Sequence, residues 1–115
     1  MGDCIAPLVG AGPGELIAVD GTSINLFKVL CAALNIAATR KNTPLTVLSE
    51  TGNFPTDLYI AEGAGRERGA RLQCVDTAQL NAAIDKDVDV VLLTHVNYRT
   101  GSMHDMAEIN ARAHA

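Results

Sequence analysis

Four short apolar runs recur along this chain, and stretches of helical period separate them. "ELIAVD" (15–20), "LTVLSE" (45–50), "ARLQCV" (70–75) and "VDVVLLTHV" (88–96) each have the length and composition of a strand. Between the first two lies "TSINLFKVLCAALNIAATR" (22–40). There Ile24, Phe27, Val29, Leu30, Ala33, Leu34 and Ala37 form an apolar stripe of helical spacing. "FPTDLYIAEGAGRERG" (54–69) follows the second run, with Pro55 where a first helical turn tolerates a missing N–H. "TAQLNAAIDK" (77–86) follows the third, with Thr77 as its expected cap. After the loop "NYRTGSMH" (97–104), Asp105 is placed to cap "DMAEINARAHA". Alternation of this kind predicts an α/β fold: a mostly parallel sheet of about four strands in three α/β/α layers. The unbroken Val/Leu run of the fourth segment predicts a strand covered on both faces.

Residues 1–115 are taken as one partial domain, expected to be cut at both ends. Ile5, Leu8 and Val9 have helical spacing with too little chain before them to complete a helix. The last helical stretch reaches Ala115 without a closing Gly, Asn or Pro. A four-stranded sheet with an unfinished helix would bury its faces poorly, which points to a segment of a larger protein.

Hydrophobic residues make up 48% of the chain, yet it has only two Phe, two Tyr and no Trp. The core must therefore be aliphatic, and each aromatic asks for a reason. The net charge of −4, with no cluster of Lys or Arg, argues against nucleic acid and anionic membrane surfaces as partners. No run is long enough for a membrane span. The start "MGDCIAPLVG" lacks the marks of a signal peptide, and Ala6 stands where myristoylation wants Ser or Thr. Cys4, Cys31 and Cys74 are odd in number and far apart, which suits reduced thiols in a cytoplasmic protein.

Two strand ends carry unusual clusters. "DGTSINLF" passes from the first run into the long helix, so Thr22 and Ser23 sit beside the free N–H groups of a helix start, where phosphate binds well. An ordinary Ser/Thr cap explains them equally simply. "GNFPTDLY" follows the second run and puts Phe54 on a turn, with Asp57 close behind. Phe54 either packs beneath the loop or presents its ring to a flat ligand. Asp57 is either a first-turn acid favoured by the helix dipole or a carboxylate for a ring nitrogen. Thr94 ends the fourth run. In an open parallel sheet all three places face one crevice beyond the carboxyl ends of the strands.

Other features read as structural. "GAGPG" (10–14) precedes a strand instead of following one, so it is a turn and not a dinucleotide motif. His95, His104 and His114 lack zinc-ligand spacing. His104 and His114 are expected on the surface or in packing. Lys28, Lys41 and Lys86 are expected in solvent, as is the helix end "GRERG" (65–69).

At these residues the chain resembles bacterial kynureninases, in the middle of their large domain. The resemblance rests on "VDGTSINLFKVLCAAL", "LSETGNFPTDLYIAEG" and "VVLLTHVNYRTGSMHDM" and runs through nearly all 115 residues. It implies the large aspartate-aminotransferase-like fold (fold type I) and pyridoxal 5'-phosphate as cofactor. The implied activity is hydrolysis of L-kynurenine, or its 3-hydroxy form, to anthranilate or 3-hydroxyanthranilate and L-alanine, in tryptophan catabolism. A cytoplasmic homodimer is implied as well. By resemblance Phe54 stacks on the cofactor ring, Pro55 and Thr56 complete the turn, and Asp57 lies toward the ring nitrogen. Thr22 and Ser23 hold the phosphate, and Thr94 also meets the cofactor. Gly21 stands where many relatives carry Ser.

In the family the lysine that forms the Schiff base follows a Tyr downstream of "THVNYRTG", and no lysine of this chain matches it. The implied catalytic residues are thus none within these 115, and the isolated chain is expected to be inactive. Another fold-type I enzyme, such as a cysteine desulfurase or class V aminotransferase, is disfavoured because those relatives usually carry His at the place of Phe54. A non-catalytic paralogue that pairs with a full-length subunit is a further alternative. The misplaced glycines make a small nucleotide-binding domain a poor one.

Overall fold

The computed structural model describes residues 1–40 and 44–115. Lys41, expected in a solvated turn, lies outside the described residues. The elements follow in the order α1 (Gly2–Ile5), a 3-10 turn (Ala6–Val9), α2 (Thr22–Ala38), β1 (Leu45–Glu50), α3 (Pro55–Glu67) and β2 (Ala70–Val75). A second 3-10 turn (Thr77–Gln79) leads into α4 (Leu80–Ala83), β3 (Val90–Val91) and α5 (Met106–Ala113).

The three strands pair in the order β2-β1-β3, and both pairings are parallel. β1 is central and buried along its whole length. Its alternate side chains enter two cores. On one face Leu45 and Val47 meet Leu30, Cys31 and Leu34 of α2 and Ala61 and Ala64 of α3. On the other face Leu48 meets Leu80 and Ile84 from the α4 region and Ile109 of α5. The α/β/α layering is therefore as expected. With so few aromatics, aliphatic side chains fill both cores, each worth about 1.5–3 kcal/mol when fully buried.

α3 shows how local sequence sets an element. Pro55 occupies its first turn and Phe54 caps it with extended backbone (φ −63°, ψ 129°). Gly65 lets the helix approach β2: an added Cβ would lie 3.1 Å from the Ala70 carbonyl oxygen. Gly69, at φ 67°, then turns the chain into β2 in a conformation L side chains rarely adopt. The "GAGPG" segment is a turn, as expected, tied by Gly12 N–H to Glu15 Oε2 and by Gly14 N–H to Asp3 Oδ1.

The structure corrects several expectations. "ELIAVD" is not a strand: Ile17 and Val19 are 74% and 58% exposed. A strand exists only when a neighbour completes its hydrogen bonds, and none of the three strands pairs with this run. Among the described residues the sheet accordingly has three strands, not four. The "VDVVLLTHV" strand shrinks to Val90–Val91 and is half-buried rather than covered on both faces. Backbone bonds from Asp89 N–H to Thr46 O and from Leu92 N–H to Leu48 O extend its ladder slightly.

In α2 only Leu30, Cys31 and Leu34 are buried, whereas Ile24, Phe27 and Val29 are exposed. The apolar stripe is longer than the sheet beneath it. Residues 2–9 do form one helical turn and a 3-10 turn, so little preceding chain was needed. Thr77 caps nothing; its hydroxyl donates to Glu50 Oε2 at 2.7 Å. Asp105 does cap α5, accepting from Glu108 N–H at 3.0 Å.

Candidate functional site

The two connections that leave neighbouring strands β1 and β3 diverge. After β1 the chain crosses to α3 on one face, and after β3 it passes to α5 on the other. Such a divergence opens a crevice at the carboxyl edge of the sheet.

The floor of that crevice is a hydrogen-bond network centred on Asn53, which is 4% exposed. Ser49 Oγ donates to the Leu92 carbonyl at 2.8 Å and accepts from Asn53 Nδ2 at 3.0 Å. Asn53 Oδ1 accepts twice, from the Phe54 N–H at 2.7 Å and from Thr94 Oγ1 at 2.6 Å. Four hydrogen bonds thus join the ends of β1 and β3 to the turn carrying Phe54. Sequence reasoning missed Asn53 and Ser49. Asn53 adjoins Phe54 in "GNFP", where Asn reads as an ordinary turn former.

Phe54 is 43% exposed, so it does not vanish beneath the loop. Its ring meets Tyr98 edge to face, with centroids 4.9 Å apart and planes at 70°. Pro55 and Thr56 are exposed in the first turn of α3, and Asp57 is half-buried beside them. The carboxylate lies where the helix dipole favours negative charge. Thr94 is half-buried, and its proton is committed to Asn53. Toward a ligand, then, its hydroxyl oxygen is left as an acceptor.

Thr22 and Ser23 are the first two residues of α2, exposed, with Gly21 as the cap. Their hydroxyls are not the helix cap, contrary to the simple alternative. Instead Asn25 Nδ2 donates to the carbonyls of Asp20 and Gly21, at 2.9 and 3.1 Å, and steadies the entry. The backbone N–H groups of this first turn have no intrahelical partners. α2 packs on the sheet and leads into the start of β1, so it runs against the strands. Seventeen residues rise about 25 Å in a helix, and six residues of strand about 20 Å. The first turn of α2 is therefore directed toward the carboxyl edge. No hydrogen bond among the described residues joins Thr22 or Ser23 to the Phe54–Thr94 group.

The described lysines lie in ion pairs: Lys28 Nζ is 3.0 Å from Asp20 Oδ2, and Lys86 Nζ is 3.5 Å from Asp87 Oδ1. Of the two places expected for His104, surface or packing, it takes the second. Its side chain is 12% exposed, and Nε2 lies 3.0 Å from Oε1 of buried Glu50. No group of three or more His, Cys, Asp or Glu among the described residues has metal-binding geometry. No helix among them is long and apolar enough to cross a membrane. A hollow of about 820 Å³ borders β3 and α5, lined by apolar Ile84, Val91 and Ile109 together with charged Asp85, Lys86 and Arg112, and it includes neither Asn53, Phe54 nor Thr94.

Comparison with known proteins supports the resemblance read from the motifs. The chain is 52% identical over 117 residues to a kynureninase of Pseudomonas fluorescens, a match covering 99% of this chain and 28% of that protein. It is 47% identical over 112 residues to a kynureninase of Burkholderia pseudomallei (strain K96243), covering 95% of the chain and 27% of the relative. A kynureninase of Burkholderia mallei (strain ATCC 23344) is 46% identical over the same span. The chain thus spans little more than a quarter of the length of these curated relatives. No family model matches it.

Proposed function

We propose that these 115 residues are part of the cofactor-binding large domain of a kynureninase, a pyridoxal 5'-phosphate enzyme that cleaves L-kynurenine or 3-hydroxykynurenine hydrolytically, releasing L-alanine. The observation that carries this reading is the 52% identity to a curated kynureninase through 99% of the chain. A homodimer in the cytoplasm, acting in tryptophan catabolism, belongs to the same proposal.

The residues present fit parts of such a cofactor. The half-exposed ring of Phe54 offers a face for a pyridine ring. Thr22 and Ser23 bring two hydroxyls and free backbone N–H groups to a helix start, a setting suited to phosphate. Asp57 supplies a half-buried first-turn carboxylate for the ring-nitrogen side. Pro55 sets the backbone of the turn, Thr56 completes it, and Thr94 offers an acceptor from the floor. When bound, the cofactor draws electron density from the substrate's carbon skeleton. The contribution of this chain is to hold and orient it. By the resemblance no lysine of this chain matches the one that forms the Schiff base, and on that ground the isolated 115 residues are expected not to turn over kynurenine.

The test is direct. The full-length protein carrying this segment is incubated with pyridoxal 5'-phosphate and L-kynurenine, and anthranilate and alanine are measured. Stoichiometric appearance of both supports the reading. Cofactor binding without cleavage, or transfer of an amino group instead, sinks it. The isolated chain, assayed alongside, gives no product.

A further inference from the structure

Residues 95–104 form a closed hairpin standing on the turn after β1. His104 N–H bonds to the His95 carbonyl at 3.1 Å, Asn97 N–H to Ser102 O at 2.9 Å, and Gly101 N–H to Asn97 O at 2.8 Å. Val96 and Met103 pair as an antiparallel bridge. The hairpin is fastened to the β1 turn at three points. At its base His104 Nε2 meets Glu50 Oε1 at 3.0 Å. Part-way up, Asn97 Nδ2 donates to Gly52 O at 3.3 Å. Near the tip, Tyr98 meets Phe54 edge to face.

We propose that Tyr98 is a positioning residue for Phe54, set against its ring by a hairpin that His104 latches to Glu50. The proposal deepens the cofactor reading and rests on Phe54 being the stacking ring. Glu50 is 2% exposed and has two partners, Thr77 on Oε2 and His104 on Oε1. A buried side chain so held gives the hairpin a firm footing, because moving His104 would leave Glu50 Oε1 without its partner. Tyr98 is itself held through its ring: the Arg99 guanidinium carbon lies 5.2 Å from the ring centroid. Without Tyr98, one side of the Phe54 ring loses its wall. The ring then samples rotamers that do not present the stacking face.

The experiment uses the full-length protein. Pyridoxal 5'-phosphate is titrated by absorbance, and the induced circular dichroism of the bound cofactor is recorded. Tyr98→Leu is expected to weaken binding about two- to ten-fold, the scale of one aromatic pair, and to reduce the induced signal. Tyr98→Phe keeps the ring and is expected to restore both. His104→Ala is expected to act in the same direction as Tyr98→Leu, and His104→Gln, which keeps a donor for Glu50, to recover part of the loss. Because His104→Ala also disturbs a buried group, the exposed Tyr98 variants decide the matter. Phe54→Leu serves as the reference. If it lowers affinity and signal while Tyr98→Leu leaves both unchanged, the positioning role is overturned and the cofactor reading stands. If Phe54→Leu changes neither, the stacking assignment fails and the proposal with it. If Tyr98→Phe is as impaired as Tyr98→Leu, the hydroxyl and not the ring is what matters, and the proposal is wrong.

Discussion

Thr94 Oγ1 donates to Asn53 Oδ1 at 2.6 Å, across 41 residues of chain. That one bond ties the end of β3 to the turn after β1. It makes the crevice floor a property of two strands rather than of one loop.

Replacing Asn53 by Ala should therefore damage more than the turn. The Phe54 N–H and the Thr94 hydroxyl both lose their acceptor in a place water reaches poorly. Each group left unsatisfied costs about 1–3 kcal/mol. The expected result is a loss of about 2–6 kcal/mol, read as a lower urea midpoint for the full-length protein. An unchanged midpoint would mean that water replaces the amide fully.

Thr22 and Ser23 carry no structural load that the fold shows, since neither side chain caps α2. Substituting both by Ala should leave thermal stability within about 0.5 kcal/mol, the usual range for surface changes. Affinity for pyridoxal 5'-phosphate should fall about ten-fold or more, because hydrogen bonds to a charged group are worth about 1.5–3 kcal/mol each. Isothermal titration beside a melting curve separates the two effects. Equal affinity would remove these hydroxyls from the phosphate site.

Leu34 is 1% exposed and sits where α2 meets β1 and α3. Leu34→Ala should cost about 2–5 kcal/mol through lost burial and an unfilled cavity. Exposed Ile36, one turn face away, should tolerate Ala with a change under about 0.5 kcal/mol. Denaturation curves of the two variants should differ plainly. Similar curves would show that α2 is not seated as described.

Asp105→Ala removes the acceptor of the Glu108 N–H at the start of α5. The expected cost is about 1 kcal/mol. Hydrogen exchange should quicken at the first turn of α5 while β1 stays protected. Uniform exchange across both would mean that the cap supports the whole fold and not just its helix.

Much of this arrangement was legible without coordinates. β1 and β2 begin and end where their apolar runs do, Pro55 opens α3, and Asp105 caps α5. The Phe54 turn and Thr94 could be assigned to one edge because they follow neighbouring parallel strands, whereas Thr22 and Ser23 were assigned there through "ELIAVD", which forms no strand. The Asn53 network could not be read this way, since its partners come from positions 49, 54, 92 and 94. Nor could the contact between Phe54 and Tyr98, or that between Glu50 and His104, 54 residues apart.

The physical division is between local and non-local terms. Caps, proline geometry and side-chain periodicity act within a few residues, so the sequence by itself determined the α/β alternation, the bounds of β1 and β2 and the starts of α2, α3 and α5. Pairing and burial need a partner, which only the tertiary structure supplies. It left "ELIAVD" exposed without a neighbouring strand, cut the Val/Leu run to Val90–Val91, and buried only the part of α2 that lies over the sheet. It also gave Thr77 to Glu50 instead of to a helix, because a buried carboxylate outbids a cap when its oxygens must be satisfied.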